Sequence, residues 1–247
     1  MEKTSRWSPR GSWIKLDGTG PVERAHGNVH ALCVPGPNSV RSFAILRPMP
    51  RRSQAEARRT RAAIVERAVD LSSLEGLEGM TLGRLADELR MSKSGVIGHF
   101  GSKESLQLTT LEAANEIFKR EVWDRTEDVE PGLPRLLAIC DAWISYLERS
   151  VFPGGCFMTA AACELDGRGG PLRDAVADAM SRWYRALEHH VRVAMDAGDL
   201  PADTDPGAIA LKLNGLAMAA NQALQLFGDR RAAQTAHRAM RATLGGS

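Results

Sequence analysis

Few residues of this chain are spaced for covalent or metal chemistry. His189 and His190 are adjacent, so on a helix they point in different directions, whereas a metal pair needs ligands at i and i+4. The pattern His-Glu-x-x-His does not occur. Cys156 and Cys163 stand near one another without a second Cys or His pair at zinc spacing, and they read as small buried hydrophobes. As redox sensors they would need a basic neighbour to lower the thiol pKa, and the sequence locates none. Gly167-Arg-Gly-Gly-Pro is glycine-rich, yet no strand precedes it and no Gly-Lys-Ser/Thr follows, so it is not a phosphate loop. No Ser-His-Asp assembly can be picked out. These readings give no catalytic residue, no metal and no cofactor, and they disfavour an enzyme.

A different chemistry, contact with a polyanion, is written between Arg51 and Glu104. Arg51, Arg52, Arg58, Arg59 and Arg61 form a basic arm relieved only by Glu56. Alone, such a run is an ordinary solvated face. Its place, directly before three short helical patterns, gives it meaning. The first pattern spans about 54–74 with Ile64, Ala68 and Leu71 at i, i+4, i+7, and Gly76 and Gly79 end it. Thr81 is placed to cap the next helix, with Met80 and Leu85 as its hydrophobic staple. Leu82, Leu85, Ala86 and Leu89 give that helix one apolar face.

After a turn, Arg90-Met91-Ser92, a third helix follows with Ser92 as N-cap and Val96 and Phe100 facing inward. Its outward face is Lys93, Ser94, Gly95, Gly98 and His99, all small, polar or basic. Two glycines in so short a helix cost roughly 1 kcal/mol each relative to Ala. That cost is understandable if the helix must lie close against another surface, and the DNA major groove admits such a helix. Ordinary bundles also contain antiparallel helix pairs, so geometry alone leaves both readings open. Gly101 reads as a C-cap, and Ser102 caps a fourth helix.

The stretch Thr81-Leu-Gly-Arg-Leu-Ala-Asp-Glu-Leu-Arg-Met-Ser-Lys-Ser-Gly-Val-Ile-Gly-His-Phe-Gly-Ser-Lys-Glu closely resembles the N-terminal DNA-binding domain of the TetR (tetracycline repressor-like) family of bacterial transcription regulators. The resemblance is dense over 58–112. It continues more weakly through Gly154-Gly-Cys-Phe-Met-Thr-Ala-Ala-Ala-Cys-Glu, Gly170-Pro-Leu-Arg-Asp-Ala-Val and Ala197-Gly-Asp-Leu-Pro-Ala-Asp-Thr-Asp-Pro. It implies an all-helical homodimer that binds a double-stranded operator through helix three and releases it when a small molecule enters the C-terminal domain. Carried over by position, Lys93, Ser94, Gly95, Gly98 and His99 form the DNA-facing surface. Thr81, Ser92 and Lys103 stand at helix N-termini suited to phosphate, and Arg51 and Arg52 belong to the arm. Where many members carry a phosphate-contacting tyrosine this chain has Ile97, so that contact is absent or made by His99.

The C-terminal half reads as further helices. Leu111, Ala114, Asn115, Phe118 and Val122 stripe the fourth, over about 102–123. Later patterns cover about 133–149, 155–165 and 171–197. Asp205-Pro206 is a cap followed by proline, opening a helix apolar on two faces. One stripe is Ile209, Leu213, Leu216, Ala217, Ala220, Leu224 and Phe227; the other includes Leu211, Gly215, Met218, Ala219 and Leu226. A helix apolar on two faces must be covered on two sides, and a second subunit is the expected cover. The candidate ligand residues are Trp143, Tyr146, Phe157, Met158, Trp183, Asn214, Met218 and Asn221. Aromatics and methionines at helical spacing are more often plain core. Asn214 and Asn221 are more suggestive, because a buried amide needs a partner.

The scale of the chain accommodates this plan. It has 247 residues, 43% hydrophobic and 25% charged, with a net charge of +2, an ordinary globular mixture. No apolar run approaches a bilayer span, no signal-peptide pattern is present, and four scattered cysteines make no disulfide framework. A cytoplasmic protein is expected, with no membrane partner. Residues 1–50, punctuated by Gly and Pro and without periodicity, are expected to be a disordered leader or an artefact of a start site that belongs at Met49. The domains then run 51–112 for the helix-turn-helix head and 113–247 for ligand binding and dimerisation. Two alternatives stand beside a ligand-released repressor. One is a DNA-binding regulator governed by cysteine oxidation or expression level. The other is an all-helical enzyme.

Overall fold

In the computed structural model of the protein the described residues are 5–7, 13–15 and 54–245. The chain divides into two compact units, 1–57 and 58–247. Within the first, β1 (Ser5–Trp7) pairs antiparallel with β2 (Trp13–Lys15), Arg6 opposite Ile14. This short ribbon lies within the stretch expected to be a leader. The rest of that leader, the alternative start at Met49, and Arg51 and Arg52 lie outside the described residues.

The second unit is helical. Helix α1 (Gln54–Glu75) crosses into it and buries Ile64, Ala68 and Leu71 on the face their spacing marks. It stops at Gly76, whose φ of +84° suits a residue without a Cβ. Helix α2 (Leu82–Glu88) is capped by Thr81, whose Oγ1 accepts the Arg84 N–H at 3.2 Å. Helix α3 (Lys93–Ile97) is capped by Ser92, whose Oγ accepts the Gly95 N–H at 3.0 Å. Between them Arg90 adopts φ +52°, and the Met91 N–H returns to the Ala86 carbonyl at 2.9 Å, closing the turn. The two staples are in place, with Met80 and Leu85 buried together and Val96 buried beside half-buried Met91. Ile64, Ala68, Leu71, Leu85, Ala86, Val96, Phe100 and Leu106 make one small core.

Helix α4 (Lys103–Phe118) is capped by Ser102. The sequence pattern carried it to about residue 123 as one α-helix. Instead the last turn widens into a π-helical turn (Lys119–Trp123), then a 3₁₀ turn (Asp124–Thr126). Five helices follow: α5 (Leu133–Glu148), α6 (Phe157–Leu165), α7 (Pro171–Asp196), α8 (Pro206–Phe227) and α9 (Arg231–Thr243). Proline stands in the first turn of α5, α7 and α8, where its missing N–H is harmless. Asp205 caps α8 by accepting the N–H groups of Gly207 and Ala208. Helix α8 packs on α7 and α9, α5 packs on α7, α8 and α9, and α4 lies against α6 and α7. Phe227, expected on the inward stripe of α8, is 73% exposed. Helix α8 ends at Gly228 beside it, and no further turn covers the ring.

Candidate functional site

The outer surface of α3 is assembled by its caps. Thr81, Ser92, Lys93, Ser94 and Gly98 are exposed, Gly95 and His99 half-buried. Gly95 has a local reason besides close approach to a partner. A Cβ there would lie 3.0 Å from Ser92 Oγ, the atom that caps the helix. Gly83, which nothing in its spacing singled out, does a similar service on α2. The Lys93 stem passes where a side chain at Gly83 would stand, its Nζ 3.2 Å from that point, with Thr81 Oγ1 near the same spot. The lysine of α3 therefore lies across the start of α2, and a hydroxyl, a helix N-terminus and an ammonium share one surface, which favours an anion.

Two of the expected basic contacts have internal tasks. The Lys103 ammonium donates to the Glu78 carbonyl at 3.0 Å. Arg61 stacks over the Phe100 ring, 4.7 Å from its centroid. Arg58 and Arg59 are exposed. Asp70 and Glu75 of α1 and Glu88 of α2 are engaged by arginines: Arg67 pairs with Asp70 and Glu88, and Arg84 with Glu75 and Glu88.

The loop after α1 is held from outside the head. On α6, Glu164 Oε2 accepts the Leu77 N–H at 2.7 Å and Oε1 the Glu78 N–H at 2.9 Å. The carbonyls are taken up as well, Leu77 by Gln107 Nε2 at 2.7 Å and Glu78 by Lys103. A Cβ on Gly76 would lie 2.6 Å from the Glu164 carboxylate, so a side chain there, already strained at φ +84°, would push the clamp aside. Nearby, the Gly154 N–H donates to Ser73 Oγ at 3.1 Å. A bundle helix thus holds the joint between the first two helices of the head.

The candidate ligand residues separate into three groups. Trp143 and Tyr146 on α5 and Trp183 on α7 surround Phe118 on α4, with ring centroids 6.1, 5.3 and 5.1 Å from it, all edge-to-face. Trp143 and Trp183 meet at 4.8 Å, and Phe152 bridges Tyr146 to Phe157. Phe118 was legible only as one position of a stripe, yet it is the centre of the cluster. The Nε1 atoms of Trp143 and Trp183 are buried without a hydrogen-bond partner. Tyr146 Oη is buried against the Cys156 thiol and the Phe157 backbone, and burial pushes its pKa well above the usual value.

The second group is Asn214 with Met218, joined by an Nδ2–Sδ contact of 3.1 Å, and Asn214 also meets Tyr184. Asn221 stands apart. Its Oδ1 accepts the Cys156 N–H at 2.8 Å and lies where a Cβ on Gly155 would clash, so its buried carbonyl is satisfied by the Gly154–Cys156 turn. Met158 is half-buried on α6.

Burial pushes the Cys140 thiol up to about 12, which makes it unreactive. Cys156 is buried and Cys163 exposed. Among the described residues no His, Cys, Asp or Glu side chains gather into a metal-holding group, and no helix is long and apolar enough to cross a membrane.

Residues 64–108 match the family model described as bacterial regulatory proteins, tetR family, and residues 132–240 match that of the tetracyclin repressor-like C-terminal domain. A TetR transcriptional regulator from Chloroflexus aurantiacus J-10-FL is similar in structure, with TM-score 0.72 at 21% identity, covering 77% of this chain and 96% of that one. AibR, solved in complex with isovaleryl coenzyme A and operator DNA, aligns with TM-score 0.60 at 21% identity over 73% of this chain and 95% of its own. CifR, a cysteine mutant complexed with double-stranded operator DNA, gives 0.63 at 24% over 73% and 95%. No curated protein matches the sequence.

Proposed function

Because the chain belongs to the TetR family of bacterial transcriptional regulators, we propose that it is a repressor that leaves a pseudo-palindromic operator when a small molecule enters its C-terminal bundle. DNA recognition falls to the α3 surface, with Lys93, Ser94, Gly95, Gly98 and His99 toward the groove and Thr81, Ser92 and Lys103 toward phosphate. The arm with Arg51 and Arg52 would extend this contact. AibR's complex with both a ligand and operator DNA supports a ligand-responsive reading for a chain of the same fold.

The observation that carries the proposal is the Glu164 clamp. A ligand that shifts α6 changes the position of the Leu77–Glu78 backbone it grips, and hence the setting of the head. The effector's leverage equals its differential affinity for the bound and released forms. Two copies are required for a palindrome. On α8, Leu211, Gly215, Ala219 and Leu226 are exposed, Leu211 by 63% and Leu226 by 67%. That apolar face, with α9, would close the homodimer and set the heads about 34–36 Å apart.

Selection of binding sites from a random duplex pool tests the proposal. It predicts an inverted repeat with half-sites about one helical turn apart, and loss of enrichment with Lys93→Ala. Binding without a repeat would contradict the two-headed reading.

A further inference from the structure

The reading of the C-terminal bundle as an effector site, on which this inference rests, leaves open what the effector is. The aromatic cluster narrows it. Folded proteins partner nearly all buried donors, yet Trp143 Nε1 and Trp183 Nε1 are both buried without a hydrogen-bond partner, and with Tyr146 these side chains stand around one ring, Phe118. Trp143 is only 4% exposed, so bulk water does not serve its N–H. An indole can only donate, so whatever completes the pair must present acceptors. The rings meet edge-to-face, nearly perpendicular, at centroid separations of 4.8 to 6.1 Å, so another aromatic plane takes over these contacts by displacing one of the rings. Among the described residues, the ring contacts and hydrogen bonds of these three side chains involve no charged group. A charged ligand would therefore be desolvated there without a counterion.

We propose that the effector is a neutral, planar aromatic compound bearing carbonyl-type acceptors, such as an aromatic ketone or lactone, held by the indole N–H groups of Trp143 and Trp183. Such a molecule takes a place in the ring cluster beside Phe118, between α4, α5 and α7. Its carbonyl oxygens accept the donors that the free protein leaves unmatched. Phe118 is half-buried and is the ring best placed to yield.

Calorimetric titration of the full chain with flavone, xanthone and coumarin tests this, against fluorene and naphthalene as hydrocarbons of similar ring surface and coumarin-3-carboxylate as the anion. Saturable binding of at least one carbonyl compound is expected, about tenfold or more tighter than the hydrocarbons. Trp143→Phe and Trp183→Phe keep a ring and delete a donor. Each should weaken that compound about five- to tenfold, as loss of one hydrogen bond does, while the melting temperature holds or rises because an unmatched buried donor has gone. The proposal is overturned if no carbonyl compound binds, if hydrocarbons bind equally, or if the carboxylate binds best. It is also overturned if the variants lower the melting temperature with affinity unchanged, which would mean the N–H groups serve neighbouring ring faces. Operator binding by the ligand-free protein, measured in parallel, separates this failure from failure of the regulator reading.

Discussion

Single side chains decide whether the short helices of the head form at all. Helix α3 has five residues, far below the length at which a helix persists alone, so Ser92 and the packing of Val96 must hold it. Ser92→Ala removes the acceptor of the Gly95 N–H and should lower stability by about 1 kcal/mol, read by denaturant unfolding. These caps were legible because they are local: Thr81, Ser92, Ser102 and Asp205 each bond a backbone group two or three residues away. His190 was legible only as one of an adjacent pair. Burial, and then the neighbouring His189, push its pKa from 6.5 down to about 4. The folded protein thus keeps it neutral while the unfolded chain binds the proton. Its contribution is full above about pH 6.5 and is lost as pH falls toward 4, up to about 3 kcal/mol. Chemical denaturation across that window should show the loss, and His190→Leu should flatten it.

Between elements, the decisive contacts join residues far apart in sequence. The sequence placed Glu164 at the end of a motif, and no spacing rule could pair it with backbone 86 and 87 positions away. The same limit hid the Asn221–Cys156 hydrogen bond, which gives this candidate ligand amide a structural task as well. The π-helical end of α4 was also illegible, since Phe118 and Val122 fit a continuing α-helical stripe. It is a change of hydrogen-bond register, stabilised in part by the Lys119–Asp124 ion pair. Glu164→Ala leaves the two part-exposed N–H groups to water, costing about 0.5–1.5 kcal/mol. A further effect is expected: effector changes operator affinity less in this variant than in the parent protein. Anisotropy titrations of a labelled operator with and without effector check it. An unchanged effector response would remove Glu164 from the coupling.

At the scale of the molecule, the helical plan was visible from periodicity, and the two family-model matches bear it out. The cover of α8 was inferred from its two apolar stripes, and Leu211 and Leu226 are indeed exposed in the single chain. Leu211→Glu with Leu226→Glu places two charges on that face. Sedimentation should then report monomers, and operator affinity should fall by at least about a hundredfold, because one head alone meets half a site. Dimers persisting in this double variant would move the interface elsewhere.

On the proposed function, the α3 surface of a two-headed molecule reads DNA through charge and shape. Footprinting of the DNA flanking its own gene, repeated across a salt series, tests it most directly. A protected inverted repeat is expected, with affinity that falls steeply as salt rises, because binding releases counterions from phosphate. Absence of any protection at low salt, by folded and ligand-free protein, would contradict it.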